Sequence, residues 1–474
     1  VIGGRIVIAR ADAPVLRNAV IELDGPTISQ IRPAQEGELG SLPEVHEVLM
    51  PGLIDAHSHG RAIAIERHGV AAGPLERFLV MLRAMSALDP FDEALVAADA
   101  GLAAGITATQ VSHHTFGDAA SYAAQARAVA AGYAQAQTRA FIALMISDQD
   151  EYGPATLLAQ EAPDIARGIP QPLREMDPAA YANVARALLA DPEHGVDAAQ
   201  QNTSEVVFDA VGPIAPQWCS AAGNASAGAA RGGGRVHAHL LESASQRLAA
   251  TLSDPVGALA DAGLLGPWSS FAHGIWLDEH DRRRLAEAGA TVVHNPGSNR
   301  RTGAGLCQVR RLLDAGVHVA LGIDSNSATE EPDPFAEMRM ALDLASELGE
   351  PISHAEVLAM ATTGGARALC RDDLGALRPG ASADLIALDL EEAAGTEDPI
   401  RYVVDHAIPA NVTRRWIAGR RREPTGAAAA RERLEDALSA DARGRAERLA
   451  KSADEWRRVQ QSWNTLQAHI ESLG

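Results

Sequence analysis

Apolar and polar positions along this chain change their spacing twice. Residues 1–50 carry short β-rich pieces, Arg5 to Ala9, Ala19 to Leu23, Thr27 to Ile31 and Glu47 to Met50, separated by turn signals such as Asp24-Gly25-Pro26. So small a unit cannot close a core alone. A matching set follows much later: Gly375-Ala376-Leu377-Arg378-Pro379-Gly380, then Ala383 to Leu388, then Val412 to Arg420. The expectation is one discontinuous β-sandwich, built from residues 1–50 and 375–424, that flanks whatever lies between.

Between these segments, strand-like apolar runs alternate with Ala- and Leu-rich helical stretches, the pattern of a parallel α/β structure. Eight runs are found: Leu53–His59, Ile106–His113, Ala140–Ile146, Val206–Val211, Arg235–Leu240, Ser270–Ile275, Thr291–Asn295 and His318–Ile323. Eight is the number that closes a (β/α)8 TIM-like barrel, here over residues 51–374. The long connection from about Ser147 to Gln171 is a candidate lid over the open end. Ala221 to Gly234 reads as a slim or flexible Gly- and Ala-rich connection rather than a phosphate-binding loop. Residues 425–474 read as a helical tail in which Trp456, Val459, Trp463, Leu466, Ile470 and Leu473 recur at steps of three and four. Such a stripe docks on its own domain, with a subunit contact in a homo-oligomer as the alternative.

Composition narrows the partners. The 474 residues are 46% hydrophobic, enough for a large core plus an accessory unit. A net charge of -21, from 41 basic against 62 acidic residues, argues against nucleic acid and anionic membrane. A small neutral or cationic substrate is easier to reconcile. Cys219, Cys307 and Cys370 are scattered with no CxxC pair, which suggests a reducing cytosol rather than a disulfide framework. No basic region leading into an apolar core opens the chain, and no window has the apolar length of a membrane span, so a cytoplasmic protein is expected. Lys451 is the single lysine, so the barrel has none to serve as nucleophile, Schiff base or carbamylated metal bridge.

The chemistry-bearing residues stand at the ends of the predicted strands. Pro51-Gly52-Leu53-Ile54-Asp55-Ala56-His57-Ser58-His59 ends in two histidines at i, i+2, which share one face of a strand. In a closed barrel that face is the interior, and the C-terminal end is where such barrels keep their chemistry. The fifth run continues Val236-His237-Ala238-His239-Leu240-Leu241-Glu242, the sixth ends Phe271-Ala272-His273-Gly274, and the eighth ends Leu321-Gly322-Ile323-Asp324. A carboxylate emerging from an apolar run is costly unless paired or metal-bound. Each motif alone is weak. Together His57, His59, His239 and Asp324 offer three imidazoles and one carboxylate to one divalent ion, zinc first and iron as the alternative. A metal there lowers the pKa of bound water from near 16 towards roughly 7. Glu242 and His273 are then placed as proton carrier and hydroxide-orienting group.

These segments, with Val293-His294-Asn295-Pro296-Gly297-Ser298-Asn299 and Gly375 to Leu388, resemble the amidohydrolase superfamily. More narrowly, they are similar to its mononuclear-metal branch of guanine, cytosine, 8-oxoguanine, pterin and S-adenosylhomocysteine deaminases and triazine hydrolases. The resemblance runs from the first strands to about Arg420. It implies a single ion held by His57, His59, His239 and Asp324, with Glu242 delivering a proton to a ring nitrogen and His273 holding the hydroxide. The missing barrel lysine agrees with that branch. The His-x-Glu and Pro-Cys-x-x-Cys pattern of the Cys-ligated zinc deaminases is absent, which leaves His354-Ala355-Glu356 as a coincidence on a helix. The loop after the first run, Gly60-Arg61-Ala62-Ile63-Ala64-Ile65-Glu66-Arg67-His68, departs from the branch's aromatic or Met-rich pattern and bears on substrate identity. Expected pocket neighbours are His113, His114, Gln217, Trp218, His294 and Asn295, each as substrate contact or supporting packing. The implied activity is hydrolytic deamination of an amino-substituted purine, pyrimidine, pterin or triazine. Loss of chloride or alkylamine from a triazine or hydrolysis of an amide on the same site, and a catalytically silent scaffold, are the alternatives.

Overall fold

The computed structural model describes residues 1–82, 84–114, 118–149, 176–191, 205–251, 253–324 and 331–473. Four strands open the chain: β1 (Ile2–Val7), β2 (Leu16–Asp24), β3 (Thr27–Pro33) and β4 (Val45–Pro51). The eight central runs become β5 (Leu53–Ser58), β6 (Ile106–His113), β7 (Arg139–Ile146) and β8 (Val206–Pro213), then β9 (Arg235–Leu240), β10 (Ser269–His273), β11 (Thr291–His294) and β12 (His318–Leu321). Strands β13 (Leu385–Leu388), β14 (Val412–Ile417) and β15 (Arg420–Arg421) follow.

Strands β5 to β12 pair in sequential order as one parallel eight-stranded sheet. The sheet closes where β5 meets the exit of β12: the Asp324 N–H donates to the His57 carbonyl at 2.8 Å, and the His59 N–H donates to the Asp324 carbonyl at 2.9 Å. The result is a TIM-like barrel whose seam is made by the backbones of three expected metal ligands. Strands β5, β6, β7 and β9 are buried at every position, as expected when helices cover the outside and side chains fill the inside. The base is plugged by the turns Met360–Gly364 and Gly365–Ala368. Gly364 approaches so closely that a Cβ on it would lie 2.4 Å from the Val319 carbonyl oxygen.

The remaining strands form one mixed sheet in the order β15-β14-β13-β4-β1-β2-β3, built from both ends of the chain. The expected sandwich is therefore a single sheet that curls. The Ile28 N–H donates to the Ala381 carbonyl and the Ala383 N–H to the Pro26 carbonyl, so the β3 edge folds back to the lead into β13. The curl encloses Val7, Ile21, Ile28, Leu49, Leu385 and Trp416, while Ile6, Val48, Met50 and Ile386 face the barrel core. Both faces are covered, which is why apolar residues follow one another here instead of alternating with polar ones.

An ion pair ties the two units. Arg139, at the start of β7, grips Asp384 with two hydrogen bonds of 2.7 and 3.0 Å, and both side chains are buried. Arg139→Met leaves Asp384 charged and unpaired, which is expected to cost about 3–5 kcal/mol. The measurement is a lower urea midpoint at unchanged slope. A shift equivalent to less than about 1 kcal/mol, the scale of a solvent-exposed pair, would refute this role.

One expectation about connections is revised, and a second falls outside the described residues. Ala221–Arg231 is a helix, capped by the Ser220 hydroxyl and ended by Gly232 at φ 57°. Its small residues serve close packing: a Cβ on Gly228 would sit 2.0 Å from the Ala262 carbonyl oxygen. The candidate lid lies outside the described residues from 150 onward. The tail forms helices Ala428–Ala440 and Ala442–Leu473, and its stripe docks on its own chain. Trp456, Val459 and Trp463 pack around Val80, and Leu449 and Trp456 pack against Ile65, Val70, Met81 and Met85. The long helix thereby backs the short helix Leu75–Leu82. No helix among the described residues is long and apolar enough to cross a membrane.

Candidate metal centre

Alternation along β5 and β9 sends His57, His237 and His239 into the barrel, and the strand exits place His59, His273 and Asp324 around them. Turning a side chain inward at a strand exit requires unusual backbone. Leu241, His273 and Asp324 adopt φ of 45°, 73° and 71°, a left-handed region that non-glycine residues rarely occupy outside constrained sites.

Hydrogen bonds on the outer ring nitrogens fix the inner ones. His239 Nδ1 lies 2.7 Å from the Ile214 carbonyl oxygen. A carbonyl only accepts, so Nδ1 carries the proton and Nε2 presents a bare lone pair. His273 Nδ1 stands 2.8 Å from Asn299 Oδ1, with the same consequence. His57 Nδ1 is 2.7 Å from His237 Nε2, and His237 Nδ1 is 2.7 Å from Ser270 Oγ. Donation from His57 to His237 to Ser270 leaves His57 Nε2 bare, and it is buried without a hydrogen-bond partner. His59 Nδ1 is also buried without a partner, so no protein group sets its tautomer and its Nε2 is free to bind.

These inner atoms converge. His57 Nε2 and His59 Nε2 each stand 3.2 Å from Asp324 Oδ1, and His239 Nε2 is 3.3 Å from His59 Nε2. Ligand atoms of His57, His239, His273 and Asp324 all lie within 4.8 Å of one another. A bare imidazole nitrogen facing a carboxylate oxygen in a dry interior is repulsive unless a cation lies between them. Four donors bound tetrahedrally at 2.0–2.2 Å stand roughly 3.3–3.6 Å apart, close to the three pair distances of 3.2, 3.2 and 3.3 Å, while the group within 4.8 Å takes in His273 in place of the expected His59. The donor set fits a single divalent ion.

Electrostatics agree with that use. Burial pulls the His57 pKa down to about 4 despite the adjacent Asp324. Burial also holds His239 well below its ordinary value, so both are neutral and able to ligate near pH 7. Two carboxyls are driven apart. Burial opposes charge on Asp324, but hydrogen bonds from the His57 and His59 imidazoles hold it well below the usual carboxylate range, and a cation seated between these groups would do the same when the inner nitrogens are bare. Burial, reinforced by the charges of Asp324 and Glu76, pushes Glu242 well above the usual carboxylate range, towards its protonated form. Its Oε2 is 3.6 Å from His273 Nε2, too far for a hydrogen bond. One acid and one anion in a single site are the pair that acid–base chemistry needs.

The centre opens into a cavity of about 970 Å³ including its mouth. One wall is apolar: Ile65, Leu75, Phe78, Leu79, Leu82 and Trp218. The wall is anchored to the site because the Ser243 hydroxyl, next to Glu242, donates to Glu76 of helix Leu75–Leu82. Of the six expected pocket neighbours, His114 and Trp218 line the cavity, whereas His113, Gln217, His294 and Asn295 are not among its lining residues. His113 is occupied with Tyr122, its Nε2 lying 3.3 Å from that residue's carbonyl oxygen. Asn295 is buried behind His273. Arg61, Ser298, Arg301 and Thr302 do line it and were not singled out as pocket residues by sequence reasoning. Ser298 donates to Asp324 Oδ2, leaving Oδ1 to face the imidazoles. The atypical loop after the first run was the available signal for Arg61.

A model of the amidohydrolase family matches residues 48–422. A 5-methylthioadenosine/S-adenosylhomocysteine deaminase of Teredinibacter turnerae is 33% identical over 195 residues, 39% of this chain and 44% of that protein. An 8-oxoguanine deaminase of Pseudomonas aeruginosa is 37% identical over 179 residues, 36% of this chain and 40% of that one. The chain thus matches less than half the length of these curated relatives. In fold it is similar to an adenosine deaminase from Xanthomonas campestris with bound zinc, at TM-score 0.71 and 24% identity, covering 95% of this chain and 98% of that one. A variant atrazine chlorohydrolase from Arthrobacter aurescens, complexed with zinc and atraton, superposes at TM-score 0.74 and 20% identity, covering 92% and 100%.

Proposed function

The chain belongs to the amidohydrolase family, and from that premise we propose that it hydrolyses an amino-substituted nitrogen heterocycle, releasing ammonia and leaving a ring carbonyl. The observation that carries this is geometric: the ligand atoms of His57, His239, His273 and Asp324 converge within 4.8 Å of one another, with the buried Glu242 beside them at the lining of one cavity. The relatives whose names end in deaminase support the ring-amine class. His57, His59, His239 and Asp324 would hold the ion, and three nitrogens with one oxygen suit zinc. A divalent ion bound there lowers the pKa of a water it carries towards roughly 7.

The residues divide the proton work. Glu242 gives its proton to the ring nitrogen next to the carbon under attack, which draws electron density away from that carbon. His273, its Nδ1 held by Asn299, points Nε2 at the incoming water and orients it. Asp324 takes one proton from that water and passes it to the departing amine, its carboxylate aimed by the hydrogen bond from Ser298, and the second water proton returns to Glu242 as the carbonyl forms. The apolar wall from Leu75 to Leu82 excludes bulk water and stacks against the ring.

The test is ammonia release by the zinc-loaded chain across aminopurines, aminopyrimidines, aminopterins and aminotriazines. Ammonia in stoichiometry with a new carbonyl is expected for at least one class. Chloride or alkylamine release from substituted triazines, without ammonia from any ring amine, would replace the deaminase reading. Elemental analysis of the purified protein should give about one zinc per chain.

A further inference from the structure

The overall charge of -21 favours a neutral or cationic substrate, but the cavity reverses that locally. Arg61 and Arg301 both line it, and both are half-buried. Among the described residues, neither side chain makes an ion pair or hydrogen bond. The other inward arginines have partners: Arg139 pairs with Asp384, Arg235 with Asp209 and Arg371 with Asp373, while Arg415 donates to the Leu102 carbonyl and Arg422 to the Gln137 side chain. The buried carboxyls that feel their fields do not supply a full countercharge. Burial raises Glu93, near Arg61, and pushes Glu337, near Arg301, up to about 8. A guanidinium withdrawn from water without a partner is an unmet demand for an anion.

The positions say where the anion would sit. Arg61 is two residues beyond His59, and Arg301 is three beyond Ser298, on the same face of helix Pro296–Arg301. Ser298 touches Asp324, so Arg301, one turn along the same helix, lines the cavity close to the residues that do the chemistry. Strand β12, which carries Asp324, lies between the strands that lead to the two arginines. Both therefore guard one side of the mouth, and the apolar wall of Leu75, Phe78 and Leu79 is available to a spacer. Resting on the hydrolytic reading above, we propose that the substrate is a heterocyclic amine carrying, through a short apolar spacer, a carboxylate or phosphate-type group that Arg61 and Arg301 bind. The acid belongs to the substituent and not to the ring, because the ring occupies the floor of the cavity beside Glu242.

A matched set of one ring amine, N-substituted with butyl, 3-carboxypropyl or 3-phosphonopropyl, tests this on the zinc-loaded full chain. The expected result is a kcat/KM at least ~10-fold higher for an acid-bearing member than for the butyl one, expressed in KM, as two charge-assisted contacts should give. The larger ratio identifies the acid. In the folded double variant Arg61→Gln/Arg301→Gln, with zinc content and far-ultraviolet spectrum as controls, the ratio should fall ~10–100-fold towards one. A ratio of one or less in the wild type, or an unchanged ratio in the double variant, overturns the proposal. If no ring amine releases ammonia, the hydrolytic reading fails instead. The same three compounds are then titrated calorimetrically onto the zinc-loaded protein, and equal Kd values would overturn the anion site by itself.

Discussion

Glu242→Gln should keep its metal and lose turnover by ~10²–10⁴, the usual worth of a positioned acid–base group. Glutamine matches glutamate in size and fills the same buried site, 3% exposed in the wild type, so packing and the surrounding donor set are retained. What disappears is the transferable proton. Burial first, then the charges of Asp324 and Glu76, push the Glu242 carboxyl well above the usual range and favour its protonated form, and an amide cannot give that proton to a ring nitrogen. The pH profile carries a sign. The useful form of Glu242 is the protonated one, so wild-type kcat should fall as pH rises through its elevated pKa. The variant's residual rate should lack that limb. Full activity with normal zinc content would remove Glu242 from the mechanism.

His239→Ala should instead lose the ion itself. Its Nδ1 is tied to the Ile214 carbonyl so that Nε2 faces the donor cluster with His59 and Asp324. Loss of an outer partner of a metal ligand typically costs ~10–100-fold in affinity, and loss of the ligand should cost more. Elemental analysis after desalting should find well under one zinc per chain, with activity down at least in proportion. A second readout is independent of turnover. An ion present at ~1,000 times its Kd stabilises the folded state by about 4 kcal/mol, so a chelator should lower the wild-type Tm and leave that of His239→Ala unmoved. Retention of stoichiometric, chelator-sensitive zinc would take His239 out of the donor set. The two variants together separate proton delivery from cation holding, since only one of them is expected to change metal content.

Much of the molecule was legible from spacing. The eight runs between Leu53 and Ile323 became the barrel strands because parallel strands buried on both faces are continuous apolar stretches, and few other segments of the chain have that form. His57 and His239 could be placed inside because a strand has period two, and Asp324 because a carboxylate ending an apolar run needs a partner. The Ala221 to Arg231 helix was read as a connection because glycine and alanine signal slack in a sequence, whereas here they allow close approach to Ala262. His237 was seen only as part of a His-x-His pair. Its placement against His57 Nδ1, which fixes the inner lone pair of that ring, depends on how far β5 and β9 stand apart across the barrel.

Sequence alone determined the class of fold, the strand ends that carry chemistry and the residue types brought to them, because these follow from local periodicity and from the cost of burying polar groups. Tertiary structure decided what the site faces. Arg61, Arg301 and the wall from Leu75 to Leu82 meet over the centre through packing between segments far apart in the chain, backed by the tail helix through Trp456 and Val459. Side-chain direction on loops and short helices has no period to betray it. The backbone turns at His273 and Asp324 are held only by the closed barrel around them, so the same residues in an isolated strand would not aim at one point.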